Sequence, residues 1–72
     1  MNKQHQKIMN YMERNGCITP MEAFDHLKIT KLSTRVGEMI RDGVPICKEM
    51  VYRKNADNET VRYMRYWLDK TN

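Results

Sequence analysis

Glu22 and His26 stand four residues apart with Asp25 beside them, a spacing that puts the three side chains on one face of a helix. Metal binding or general acid–base work is the chemistry such a set could do. Zinc, however, wants a further ligand at a defined spacing, and proton transfer needs a pocket that a helix of about two turns cannot build. The set therefore reads as an ordinary helix-surface pair. Cys17 and Cys47 have no CxxC or HxxxH neighbours and are too few for a disulfide framework, so both read as small buried apolar residues. His5, between Gln4 and Gln6, reads as an exposed or half-buried polar residue. No nucleophile–base pair, phosphate loop or metal set appears, which argues against an enzyme, a cofactor or a small-molecule substrate.

The remaining chemistry is charge. The chain has 72 residues and a formal net charge of +4, and the whole surplus lies in one third of it. Residues 28–54 hold the seven cations Lys28, Lys31, Arg35, Arg41, Lys48, Arg53 and Lys54 against the three anions Glu38, Asp42 and Glu49, while the flanking segments each sum to zero. A surplus confined to one contiguous stretch is what a phosphate-binding face needs, because affinity for a duplex comes largely from counterions released by Lys and Arg.

Length sets the scale of what can carry that face. A chain this short makes one domain, 1–72, and buries about 60% of its unfolded surface, which leaves no room for a large enclosed site. A composition of 40% hydrophobic and 31% charged residues is that of a folded soluble domain. No apolar run approaches the roughly 20 residues of a membrane span, and MNKQHQKIM lacks a secretory apolar core. The expected location is the cytoplasm.

Three helices are expected to position the cations. Residues 2–15 read as a first helix, with Met1, His5, Ile8 and Met12 on one stripe, Tyr11 beside it, and Asn15-Gly16 as the stop. Cys17 and Ile18 are long enough for a short strand at 17–18. Thr19, Pro20 and Glu22 form a capping box with proline at the first helical position, opening a helix over 20–28 with Ala23, Phe24 and Leu27 inward. Thr30 is a second candidate N-cap, and Leu32, Val36, Met39 and Ile40 make the stripe of a third helix over 31–42, closed by Asp42-Gly43. At about 100° per residue, Lys31, Thr34, Glu38 and Arg41 point away from the core, with Ser33, Arg35 and Gly37 on the flanks. Two helices joined by so tight a turn form a helix-turn-helix, whose second helix fits the DNA major groove.

After Gly43 the pattern becomes extended. The runs 46–54 and 60–68, rich in Val, Ile, Tyr, Trp and Met, flank the turn-forming NADNE and predict a β-hairpin. Ile46, Met50, Met64, Tyr66 and Leu68 are assigned inward. Val51, Tyr63 and Trp67 are assigned outward, as a protein or dimer contact or as a face partly covered by the first helix. Arg53, Lys54 and Arg62 flank the tip.

Helix, short strand, helix, turn, helix and hairpin is the order of a winged helix-turn-helix, an α+β fold of three helices with a two-stranded C-terminal wing. ITPMEAFDHLKITKLSTRVGEMIRDGVPI, then VYRKN and a Tyr-x-Leu at Tyr66 and Leu68, resemble the small helix-turn-helix proteins of bacteriophages and prophages. There the run is I-T-x-x-E-A-x-x-x-L, L-S-x-R-[IV]-x-x-L, G-x-P-I. The resemblance spans Ile18 to Leu68. Met39 departs from the usual Leu, and the wing turn lacks a glycine.

The resemblance implies a double-stranded DNA-binding protein of a mobile element, acting as a transcriptional regulator or as a factor that shapes DNA for recombination or replication. Together with the charge pattern it nominates Lys28, Lys31, Ser33, Thr34, Arg35 and Arg41 for the recognition helix and its approach, and Arg53, Lys54 and Arg62 for the wing. From another class, the fold could serve as a protein-interaction module that inhibits or recruits a host protein through Val51, Tyr63 and Trp67.

Overall fold

The computed structural model describes residues 2–70. Helix α1 runs Lys3–Asn15, α2 Pro20–Leu27 and α3 Leu32–Arg41, followed by strands β1, Ile46–Lys54, and β2, Thr60–Leu68. Met1, placed on the α1 stripe by its spacing, lies outside the described residues.

Local signals start and stop the helices. The Asn2 side chain caps α1 by accepting from the His5 N–H at 2.8 Å, and Gly16, at φ 90°, closes it in the left-handed conformation that glycine reaches without cost. At α2 the expected capping box is complete. The Glu22 N–H donates to Thr19 Oγ1 at 3.3 Å, and the Thr19 N–H donates to Glu22 Oε1 at 3.0 Å. At α3 the expectation fails: Lys31, not Thr30, is the N-cap, and no side chain caps the helix.

The core is built where the three helices meet the base of the hairpin. Ile8, Met12, Ile18, Ala23, Ile29, Leu32, Val36, Met39 and Tyr66 are buried, with Leu27, Ile46, Met64 and Leu68 packed against them. Phe24 and Ile40, expected inward, are 53% and 42% exposed. Each step of four residues overshoots a helical turn by about 40°, so the stripe Leu32–Val36 passes to Met39 and leaves Ile40 outside, while Ala23 takes the inward position on α2. His5 is the reverse case, only 5% exposed because its ring lies in the seam toward α3.

β1 and β2 pair antiparallel from Ile46↔Leu68 to Lys54↔Thr60. The expected strand at 17–18 reduces to one bridge, in which Ile18 and Tyr66 exchange N–H···O bonds of 2.8 and 2.9 Å. That exchange fixes the hydrogen-bond phase of the hairpin. Tyr66 turns its N–H and C=O away from β1, so the bonded pairs are Cys47–Trp67, Glu49–Arg65, Val51–Tyr63 and Arg53–Val61. Ile46, Met64, Tyr66 and Leu68 share the inward face; Met50 lies on it too but is 42% exposed, because it has passed the edge of the body. Val51, Tyr63 and Trp67 occupy the opposite face and are half-buried.

Asn58, at φ 63°, supplies the left-handed residue of the wing turn in place of glycine. Asn55 organises the same turn, its Oδ1 accepting from the Asp57 and Glu59 N–H groups at 3.0 Å each.

Candidate nucleic-acid interface

The outward side of α3 begins at its cap. Lys31, Ser33, Thr34 and Arg41 are exposed and Gly37 is half-exposed. A Cβ built on Gly37 meets nothing within 4 Å, so no neighbour in this chain requires a glycine there. The missing side-chain cap leaves the first N–H groups of α3 without that partner, and the N-terminus of a helix favours anions.

Glu38, expected outward, turns toward α1 instead. Its Oε1 lies 2.8 Å from His5 Nε2, and both its oxygens accept from Arg35 Nη1 at 2.9 Å. A carboxylate only accepts, so His5 Nε2 carries the proton. The hydrogen bond from His5, then that from Arg35, holds the Glu38 carboxyl below its ordinary pKa. The arrangement also decides what Arg35 can do. Nη1 is occupied, and Nε is buried without a hydrogen-bond partner among the described residues. A two-pronged contact to guanine O6 and N7 needs two free donors on one edge, and in this arrangement Arg35 does not present them.

The Arg35–Glu38 spacing of three is an ordinary helix pair that the sequence displays. The partner from α1 was not legible, because nothing in the residues around His5 specifies a neighbour 33 positions away.

Lys28 holds the αL position at the end of α2, at φ 58°. Its Nζ donates to the Asp25 C=O at 3.4 Å and lies 5.9 Å from the Phe24 ring centre. Only residues 42–45 separate α3 from β1, so the wing grows directly from the end of α3. Arg53 and Lys54 are consecutive and project to opposite faces of the strand, and Arg62 pairs with Tyr52; all three are exposed. On the Val51–Tyr63 face, Arg65 lies 5.5 Å from the Trp67 ring centre and is ion-paired to Glu49.

Two of the three residues first considered for acid–base or metal chemistry are engaged structurally. Glu22 belongs to the capping box, and His26 stacks on Tyr11 with ring centres 5.8 Å apart. Burial, and then the nearby Glu22, raise the Tyr11 hydroxyl above its ordinary pKa. Cys17 and Cys47 are free and half-buried, more open than expected. No helix among the described residues is long and apolar enough to cross a membrane.

Three helices, a helix-turn-helix formed by the second and third, and a hairpin wing directly after it define a winged helix-turn-helix. Comparison with family models agrees: residues 3–71 match the winged helix-turn-helix domain, and the chain belongs to that family. Membership supports DNA binding. A search of curated proteins returns no significant match.

Proposed function

We propose that the protein binds double-stranded DNA sequence-specifically in a bacterial cytoplasm, as a transcriptional regulator of a phage or prophage. The observation that carries this is the localisation of the charge surplus to residues 28–54, whose cations, all exposed except the half-buried Arg35, stand at the end of α2, on α3 and on the wing. Lys31, Ser33 and Thr34 meet base edges and adjacent phosphates in the major groove, Arg35 meets a phosphate, and Lys28 and Arg41 lie along the backbone. Arg53, Lys54 and Arg62 take the backbone or minor groove beside it. The same surface would serve a recombination directionality or architectural factor, which bends the duplex it binds.

Fluorescence anisotropy of a labelled mixed-sequence duplex tests the reading. Binding at low salt that weakens steeply toward physiological salt is expected; no binding at low salt refutes it. The second reading, a protein contact through Val51, Tyr63 and Trp67, draws on the half-buried state of that face. It predicts that Trp67→Ala abolishes partner capture and leaves DNA affinity unchanged.

A further inference from the structure

Between α2 and the outer half of the wing lies a groove of about 980 Å³ whose apolar side chains none of the DNA-facing assignments explains. Its lining includes the apolar side chains of Met21, Phe24, Val61 and Tyr63. Met21 is 73% exposed, Phe24 53% and Val61 41%, three apolar side chains open to solvent on one surface. Glu22 and Asp25 stand on the α2 wall, and Arg53 and Arg62 on the wing wall.

The backbone adds a second feature. Because Tyr66 directs its N–H and C=O toward Ile18, the even-numbered residues of β2 present theirs on the edge away from β1. Ile18 occupies that edge only at Tyr66, and the chain then leaves it to enter α2 at Pro20. Arg62 thus sits on a strand edge that pairs with no further strand among the described residues, the kind of edge that can pair with another chain.

We infer that this groove is the contact surface for a second copy of the chain, in a two-fold dimer. Charge selects the occupant. The chain carries +4 overall, so two copies repel across most of their surfaces, yet the four charged groups of the groove cancel. They are also divided by sign between opposite walls. A two-fold axis midway between the walls applies the same patch to itself and sets Asp25 of each copy against Arg62 of the other. An antiparallel pairing of two identical edges obeys the same symmetry, and Met21, Phe24 and Val61 supply the apolar area. This goes beyond the DNA-binding reading and stands independently of it. The dimer and the DNA complex draw on Arg53 and Arg62 alike, so the dimer is the form of the DNA-free protein.

Sedimentation of the full chain without DNA tests the inference, and circular dichroism verifies that each variant is folded. The wild type is expected to show a concentration-dependent dimer. Asp25→Arg and Arg62→Asp, each alone, place like charges together twice across the axis and weaken it by about tenfold or more. An equimolar mixture of the two variants restores both pairs and the dimer with them. Phe24→Ser, at an exposed position, also weakens the dimer. A wild type that remains monomeric up to about 1 mM, or a dimer indifferent to both charge reversals, overturns the inference. So does a mixture that fails to associate when the single variants have dissociated. None of these outcomes depends on whether the protein binds DNA.

Discussion

The two halves of the wing hairpin belong to the same pair of strands and have different surroundings. Toward the base, Ile46, Met64, Tyr66 and Leu68 close the core, and Ile18 adds a bridge at Tyr66. Toward the tip, residues 52–62 are exposed throughout, including Tyr52 at 65%, and the structure there is maintained by cross-strand bonds and the Asn55 turn. A single hairpin of this kind is marginal in water unless it packs on something. The base half thus anchors the tip half, and the tip is free to carry cations outward. The difference also explains why an apolar residue such as Met50 can lie on the inward face and still be exposed.

The largest expected effect breaks this comparison at the base. Tyr66→Ala removes a ring that is 4% exposed and should cost about 3–5 kcal/mol by chemical denaturation. Tyr52→Ser at the tip should change stability by less than about 0.5 kcal/mol; comparable losses at the two sites would show that the halves are not distinct. Thr19→Ala, which removes the oxygen of the α2 capping box, should cost about 1 kcal/mol.

Gly37→Ala sharpens the comparison from the functional side. Alanine in place of glycine within a helix stabilises by about 0.5–1 kcal/mol, and the added methyl meets nothing in this chain. The variant should unfold later in denaturant yet bind duplex DNA more weakly, because the methyl projects where the major groove approaches. Equal or tighter DNA binding would place that face of α3 away from the groove.

The smallest effect is a pH dependence at Glu38. Its pKa is lowered in the folded chain by His5 and Arg35, so the ionised carboxylate stabilises the fold above the pKa it has when unfolded. That contribution is lost as pH falls through the lower, folded value. Glu38→Gln should therefore be less stable than wild type near neutral pH, with the gap closing in acid below the ordinary carboxylate range. A gap that stays constant across that range would show that the His5–Glu38–Arg35 set is not formed in solution.

How much of this was legible in the sequence follows from how local each signal is. The α2 capping box and the Gly16 stop are written within three or four residues, and both occur as read. The order of helices and wing followed from such punctuation and from apolar spacing. What failed depended on packing between distant elements. The burial of His5, the inward turn of Glu38 and the exposure of Phe24 are set by how α1 and the wing meet the helix-turn-helix, which helical spacing within one element does not encode. The groove was missed for the same reason: Phe24 fits the apolar stripe of α2 as well as Leu27 does, and only the position of the wing leaves it uncovered.

The central claim is that α3 and the wing form one DNA-binding surface, and salt slopes measured with one cation removed from each prong test it most directly. Lys31→Ala at the start of α3 and Lys54→Ala at the wing should each reduce the slope of log affinity against log salt by about one unit on the same duplex. A slope unchanged in both variants would contradict the account, and a slope changed only by Lys31→Ala would remove the wing from the interface.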